Sequence, residues 1–237
     1  MEYHLLGNHL FANAKALVFA GCFFEGSVAE AWLEKGLKIL RKEIPEQFLE
    51  DGAHFELSTT YHATLTEDLL DTINILQAYA REVPALWKAA ARQAVVWQSI
   101  MTRPDGFPPL FNDAAYSISA SYVDIIEYAN RLGLEAGAAL RPEQLTDPQP
   151  SGYFRYEGKD YSFWGDAGRI GPDYIPGHAH CDMLNFELFA NGQPVIVDTG
   201  TSTYEVCIRR HLERSTTAHN TVQVGTVEQS EIWGAFR

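Results

Sequence analysis

Residues 185–198 read NFELFANGQPVIVD, and this stretch decides the fold of the second half of the chain. Apolar residues run at strand length on both sides of Asn191-Gly192, a dipeptide that favours the left-handed conformations of a tight hairpin turn. The pattern predicts two antiparallel strands, Leu184–Ala190 and Pro194–Asp198. Short apolar segments predict three further strands, at Tyr153–Tyr156, Tyr161–Trp164 and Thr221–Val224.

Upstream of these strands the apolar period changes to three and four residues, which is typical of amphipathic helices. It predicts five helices, at Leu5–Ala20, Val28–Arg41, Ser58–Tyr79, Pro84–Met101 and Ile118–Leu132. The segment Arg103–Asp113 is rich in proline and glycine, so it has to be a loop. Helices joined by short turns indicate helical hairpins. Because the strands follow the helices instead of alternating with them, the pattern predicts an α+β protein.

Composition divides the chain into two expected domains. Residues 1–140 form the helical part, 141–151 a linker rich in Ala, Pro, Gln and Asp, and 152–237 an antiparallel β-sandwich. The last residues, 231–237, still have the pattern of ordered structure, and so few strands would leave open sheet edges. We therefore expect the chain to be a fragment of a longer protein.

Charge and composition limit the possible partners. The 237 residues carry a net charge of −13 and are 46% hydrophobic, so the chain is an acidic globular protein. Such a field disfavours nucleic acid and membrane surfaces as partners. An anionic ligand would need a local basic cluster, for which Arg209, Arg210 and Arg214 are candidates. The three cysteines, Cys22, Cys181 and Cys207, are predicted to be buried free thiols.

Neither a membrane span nor a signal peptide is predicted. No run of eighteen apolar residues occurs, and the first residues, Met1–His4, have no basic or apolar character of a signal peptide.

The segment Gly177-His178-Ala179-His180-Cys181-Asp182 is the densest group of chemically active residues. If it is extended, His178 and His180 project to the same face. Together with Asp198 and His219, these imidazoles could complete a three-ligand zinc site. The alternative is a set of hydrogen-bonded histidines at a sheet end.

A second group lies on the helical side, where Asn8-His9 and Tyr61-His62 occur on the first and third predicted helices. Helix-surface residues or a satisfied core histidine are the alternative to a site. The loop that ends at Asn112-Asp113 is polar and could line a groove, which makes Asn112 a candidate for ligand binding.

These motifs, taken in order, resemble those of heparinase II/III-like proteins over nearly the whole chain. The helical part carries Gly7-Asn8-His9-Leu10 with Asn13, followed by Tyr61-His62. The β part carries Gly171-Pro172-Asp173-Tyr174, the segment 177–182, Val197-Asp198-Thr199-Gly200-Thr201, Arg214-Ser215-Thr216 and Ala218-His219-Asn220-Thr221-Val222.

The resemblance implies an incomplete (α/α) toroid of helical hairpins followed by antiparallel β-sheets, with the active site in the cleft between them. The implied reaction is β-elimination on a uronate-containing anionic polysaccharide, such as a glycosaminoglycan, alginate or a bacterial exopolysaccharide. Asn8 or His9 would neutralise the uronate carboxylate by hydrogen bonding. Tyr61 would act as the general acid and, depending on the stereochemistry at C5, also as the base, with His178 as the alternative base or a carboxylate ligand.

Further roles follow from the same resemblance. Arg214 and Tyr174 are assigned to substrate binding, although Arg214 could instead anchor the sheet to the cleft. His180, Asp198 and His219 match the zinc ligands of some members, so a structural Zn²⁺ would tie the strands together and brace His178.

The mechanism sets one electrostatic requirement. A tyrosine with a pKa of about 10 is a poor base at neutral pH, so a basic role needs positive charge close to Tyr61.

Two other functions fit the same residues, namely a non-catalytic carbohydrate-binding or assembly protein and a zinc hydrolase built on the HxH set. A polysaccharide substrate would place the protein in the periplasm or outside the cell.

Overall fold

The structure is a computed structural model that describes residues 4–135, 144–145 and 150–236. Five helices come first: α1 (Asn8–Phe23), α2 (Ser27–Gln47), α3 (Thr59–Ala78), α4 (Ala85–Ile100) and α5 (Tyr122–Arg131). Five strands follow: β1 (Gln144–Leu145), β2 (Tyr153–Glu157), β3 (Tyr161–Asp166), β4 (Phe186–Ala190) and β5 (Gln193–Ile196). The short helix α6 (Ile208–Arg214) and a 3-10 turn (Thr216–Ala218) come last. The predicted α+β class, with helices before an antiparallel sheet, is confirmed.

All five predicted helices are present, with shifted ends. Helix α2 continues six residues beyond the predicted Arg41. Pro45 lies inside its last turn and does not end the helix. Helix α3 begins where the Ser58 hydroxyl accepts a hydrogen bond from the backbone N–H of Tyr61, as expected of an N-cap. The predicted linker, 141–151, falls largely outside the described residues, so the domain boundaries stay a prediction.

The helices pack as neighbouring pairs around an apolar core. Helix α1 lies against α2 after a three-residue connection, and α3 lies against α4. Glycines permit the close approach of the first pair: a Cβ atom on Gly21 would come within 2.5 Å of the backbone nitrogen of Leu33. The core of this part includes the fully buried residues Phe11, Val18, Leu40, Ile44, Leu65, Leu69, Leu70 and Trp87.

The strands form one antiparallel meander in the order β1-β2-β3-β4-β5. Asn191 and Gly192 both have positive φ, at 49° and 74°, which is the two-residue turn that their sequence predicts. The inner face of the sheet buries Trp164 and Phe189 against Trp97 of α4 and its neighbours, which forms a second core between helices and sheet.

Two predictions about the last forty residues are wrong: one strand is absent from the described part of the chain, and Cys207, which was expected to be buried, is exposed, whereas Cys22 and Cys181 are buried. The strand expected at Thr221–Val224 is absent from the structure as described, where a single bridge joins Val224 to Val227 and both valines are exposed. Helix α6, by contrast, was not predicted, because its seven residues are too short to show a helical period. The segment 177–182 is a loop and not extended strand, so the strand geometry expected for His178 and His180 does not apply.

No helix in the described ranges is long and apolar enough to cross a membrane.

A buried ion pair joins the loop after α4 to the sheet. The Arg103 guanidinium donates to the Glu187 carboxylate on β4 at 2.6 Å, and both side chains are fully buried. The same carboxylate accepts the backbone N–H of Leu110 at 2.9 Å. Glu187 forms no other ion pair in the described part of the chain, so its buried charge depends on Arg103 for compensation, whereas Arg103 also pairs with Asp105 at 3.0 Å.

We expect Arg103→Met to lower the free energy of unfolding by about 3–5 kcal/mol, since it leaves the Glu187 charge buried without its partner. Urea unfolding measures this loss. The matched control is Arg81→Met, which breaks the exposed pair with Glu30 (2.8 Å) and should cost less than about 1 kcal/mol. Equal small losses in both variants would show that the buried pair does not hold the two layers together.

Candidate active site between the helices and the sheet

Three of the four residues predicted to be catalytic meet where the helices face the sheet. Asn8, at the start of α1, places its Nδ2 3.2 Å from Nε2 of His178, which lies 170 residues further along the chain. Tyr61, in the first turn of α3, stacks its ring on that of His178 with centroids 3.8 Å apart. Segments that are distant in sequence therefore converge on one small group of side chains.

The structure distinguishes Asn8 from His9. The Asn8 amide donates to Glu56 Oε2 at 2.8 Å, and its backbone N–H donates to Glu56 Oε1 at 3.0 Å. Glu56 is buried, so the amide is held firmly toward His178. His9 is exposed, and no described contact joins its side chain to the other three residues. Asn8, and not His9, is therefore the residue placed for hydrogen bonding beside His178.

The polar start of α3 holds the loop that follows α4. Hydroxyl groups donate to backbone carbonyls of this loop: Ser58 to Asp113 at 2.5 Å, Thr59 to Pro109 at 2.7 Å and Thr60 to Ala115 at 3.2 Å. All three side chains are buried, although a run of hydroxyl residues at a helix start has no need to be. Their hydrogen bonds replace the lost hydration, and they fix the position of Asp113.

Asp113 accepts hydrogen bonds from several groups at once. Its Oδ2 lies 2.9 Å from Nδ1 of His178, and its Oδ1 lies 2.8 Å from Nε2 of His180. The Arg210 guanidinium contacts both carboxylate oxygens, and Thr201 Oγ1 donates to Oδ1 at 3.0 Å. Burial alone would raise the pKa of Asp113, but the hydrogen bonds from these side chains more than offset it and hold the pKa well below its usual range.

Tyr61 lies in a setting that keeps its hydroxyl protonated. Burial raises the pKa of Tyr61, and the nearby carboxylates of Asp113 and Glu56 raise it further. A hydrogen bond with Tyr204 and the charge of Arg210 lower this pKa, without reversing the shift. The positive charge required for a basic tyrosine is therefore present but outweighed.

The three predicted substrate-binding residues lie in different surroundings. Asn112 is buried, and its amide donates to Leu57 O and Tyr153 Oη while accepting from the backbone of His180. These bonds are used in shaping the loop, so its predicted contact with a ligand is without support. Tyr174 is exposed, and its hydroxyl donates to Glu46 at 2.5 Å.

Arg214 is buried and anchors the loop that carries the two histidines. Its Nε and Nη2 donate to the Ala179 carbonyl at 3.1 and 2.9 Å, between His178 and His180. Of the two predicted roles, the structure favours the anchor.

The expected basic cluster for an anionic ligand is wrong. Arg210 and Arg214 are buried, and Arg210 is neutralised by Asp113. Arg209 is exposed but paired with Glu213 at 3.0 Å. Sequence proximity suggested a surface patch, whereas α6 turns two of its three arginines inward.

The predicted zinc ligands fit a metal ion in part. His180 Nδ1 and His219 Nε2 are buried and have no hydrogen-bond partner among the described residues, and the two rings lie 5.2 Å apart. Asp198 Oδ2 accepts from His219 Nδ1 at 2.8 Å, as a carboxylate behind a metal-binding imidazole does. Across residues 4–135, 144–145 and 150–236, no group of three or more His, Cys, Asp or Glu side chains is arranged to hold a metal. The geometry thus offers two nitrogen donors, with Asp198 placed to orient one of them.

Sequence reasoning did not assign roles to Glu56, Asp113 or Tyr204. Tyr204 lies in the loop before α6, where its ring packs against Arg210 and Phe236. The polar Asn112-Asp113 pair at the end of a proline-rich loop was the one available signal for Asp113. Nothing in the local pattern marks Glu56 or Tyr204.

His62, next to Tyr61, is a core residue and takes no part in the cleft. It accepts the backbone N–H of His54 at Nδ1 (3.2 Å) and lies 3.0 Å from the Ala94 carbonyl at Nε2. Complete burial lowers the pKa of His62 from 6.5 to about 3 and also lowers that of His54.

Comparison with known proteins links these residues to one family. The family model described as "Heparinase II/III N-terminus" matches residues 1–132, and the one described as "Heparinase II/III-like, C-terminal" matches residues 141–237. The chain is 29% identical to a heparin-sulfate lyase of Bacteroides stercoris and 24% identical to one of Bacteroides thetaiotaomicron. These alignments cover 97% and 94% of the chain, but the chain spans only 37% of the length of each relative.

Solved structures agree in fold. The chain superposes on a heparinase III structure with a TM-score of 0.74 at 25% identity, over 94% of this chain and 38% of that one. A second heparinase III structure gives a TM-score of 0.80 at 22% identity, over 94% of this chain and 40% of that one.

We expect protons to be excluded from His62 in the folded state. The pKa of His62 is lower in the folded chain than in the unfolded one. The contribution of neutral His62 to the free energy of unfolding is therefore fully present above pH 6.5 and is lost as the pH falls toward 3. Between pH 6.5 and 5, wild type should lose about 1–2 kcal/mol more unfolding free energy than His62→Asn, at about 1.4 kcal/mol per pH unit for one proton.

Chemical unfolding at several pH values measures this difference. The control Thr72→Val removes a buried hydroxyl that donates to the Asp68 carbonyl of the same helix at 2.8 Å and does not contact His62, so it should lower stability while keeping the wild-type slope. An unchanged slope in His62→Asn would contradict the assignment.

Proposed function

The chain belongs to the heparinase II/III family, and on that premise we propose that it carries the catalytic site of a polysaccharide lyase that cleaves a uronate-containing polysaccharide by β-elimination. The observation that carries this proposal is the convergence of Asn8, Tyr61 and His178 at one point of the cleft. They supply an amide donor, a protonated hydroxyl and an imidazole, which are the groups that this reaction requires.

Asn8 acts on the carboxylate of the uronate. One hydrogen of its amide nitrogen is held by Glu56, and the other faces His178 Nε2 in the free protein. When substrate binds, this second hydrogen is donated to the uronate carboxylate, which stabilises the negative charge that develops as the C5 proton leaves and frees Nε2 to take that proton. This makes the C5 proton more acidic. The exposed His9 has no such support, so we assign the step to Asn8 alone.

His178 and Tyr61 divide the proton transfers between them. His178 takes the C5 proton, and the electron pair left behind forms the C4–C5 double bond as the C4–oxygen bond breaks. The leaving oxygen takes the proton of the Tyr61 hydroxyl. The raised pKa of Tyr61 favours this acid role and argues against a phenolate base in the free protein. Tyr204, hydrogen-bonded to Tyr61, stabilises the tyrosinate that remains.

The names of the relatives support a heparan-type glycosaminoglycan as the first substrate to test. A polymeric anionic substrate of this kind also supports work in the periplasm or outside the cell.

We expect the full-length protein to produce unsaturated uronate, detected by its ultraviolet absorbance, from heparan sulfate in a panel that also includes hyaluronate, alginate and a bacterial exopolysaccharide. Tyr61→Phe should lower kcat by about 10²–10⁴-fold, because it removes the general acid. Tyr79→Phe, an exposed tyrosine at the end of the same helix, is the matched control and should retain activity. Absence of product on every substrate, with carbohydrate binding intact in both variants, would favour a non-catalytic binding protein.

We further propose that His180 and His219 hold a structural Zn²⁺, with Asp198 orienting His219. When bound, the metal would tie the loop of His180 to the turn of His219 and so brace His178 from behind. The proposal draws on the two buried imidazole nitrogens without partners in the described part of the chain.

Metal analysis after dialysis should find about one Zn²⁺ per wild-type full-length protein and much less in His219→Asn. His211→Asn, at an exposed position of α6, is the control and should keep the metal. Chelation should lower Tm by several degrees and leave measurable β-elimination in the remaining folded protein. Complete loss of turnover at unchanged Tm would favour a zinc hydrolase instead.

A further inference from the structure

Asp113 is buried with no exposed surface, yet it contacts the imidazole of His178 from the side opposite the cleft. The contact is at Nδ1, while the other ring nitrogen, Nε2, lies 3.2 Å from the Asn8 amide. The two ring nitrogens of His178 therefore have different nearest neighbours, the Asp113 carboxylate at Nδ1 and the Asn8 amide at Nε2. Glu56 Oε2, which accepts from the same amide, lies further from Nε2, at 3.5 Å.

An ionised carboxylate accepts hydrogen bonds and donates none, so the hydrogen between Asp113 and His178 has to be carried by Nδ1. In the neutral imidazole this leaves the lone pair on Nε2. The Asn8 amide, a donor, is a suitable neighbour for that lone pair. The hydrogen-bond pattern thus selects one tautomer from both sides.

Further hydrogen bonds hold Asp113 in place, in addition to the one with His178. Arg210 contacts both of its oxygens, Thr201 donates to Oδ1, and the backbone N–H of Asp113 donates to the His178 carbonyl at 3.0 Å. The guanidinium compensates the buried charge locally, so the carboxylate stays ionised without drawing on the groups that face the cleft.

We propose that Asp113 is a positioning residue of the elimination reaction: it fixes His178 in the Nδ1–H tautomer, which leaves Nε2 as the atom that takes the C5 proton. The inference rests on the proposed lyase function, because it assigns the orientation of a base that this function uses. Asp113 does not touch substrate, and it acts through His178.

The test is Asp113→Asn in the full-length protein. The substitution keeps the size of the side chain but presents an N–H group to His178 Nδ1, which favours the opposite tautomer. We expect kcat on the cleaved polysaccharide to fall about 10²–10⁴-fold, by analogy with the buried aspartate behind a catalytic histidine in serine proteases, while KM changes less than about threefold. Asp160→Asn, in the exposed turn between β2 and β3, makes the same charge change and should leave both constants unaltered.

A spectroscopic readout separates positioning from general destabilisation. Protein labelled with ¹⁵N at the histidine ring nitrogens should show His178, assigned by its absence in His178→Gln, with the hydrogen on Nδ1 in wild type and on Nε2 in Asp113→Asn. A wild-type spectrum with the hydrogen on Nε2 overturns the proposal, even if Asp113→Asn fails to fold. Unchanged kcat in a folded Asp113→Asn protein overturns it as well.

The tautomer measurement needs no substrate, so the two proposals fail separately. If the wild-type protein cleaves no polysaccharide but the tautomer still switches in Asp113→Asn, the lyase function is refuted and the orientation of His178 by Asp113 stands.

Discussion

A buried carboxylate at the junction between helices and sheet is the interaction on which the rest of the site depends. Asp113 collects hydrogen bonds from side chains of three segments, which carry His178 and His180, Thr201, and Arg210. Removing such a charge from water is costly, and the cost is offset only if every partner is in place. The chain therefore has to fold around this group in one arrangement, and the orientation of His178 is a consequence of that requirement.

Most of the helices and strands before residue 200 could be predicted from local sequence patterns. The spacing of apolar residues located all five helices of ten or more residues, and Asn191-Gly192 specifies its turn by backbone conformation alone. The last forty residues could not be read in this way. Val222 and Val224 have the composition of a strand, but exposure shows that they pack on nothing in the described chain, and strand propensity expresses packing more than backbone preference.

Short motifs located three residues that the structure brings together, but they did not locate the residues that hold these three in place. Asn8, Tyr61 and His178 have side chains whose type suggests a role, so short motifs located them. The role of Glu56 depends on a contact across 48 residues, and no local pattern records such a contact. Arg210 was misjudged for the same reason: its charge suggested an exposed surface, whereas its partner Asp113 lies 97 residues away and buries it.

The division of the proposed catalytic groups between the helical part and the β part has a consequence for exchange of segments between related chains. Tyr61 belongs to the helices, whereas His178 belongs to a loop of the β part, and the stacked rings form the seam between them. Neither half is a module that recombination could transplant alone. An exchange of one half between distant relatives would bring together a tyrosine and a histidine from different packing surroundings. A substitution on either side of the stacked rings therefore changes the surroundings of the residue on the other side.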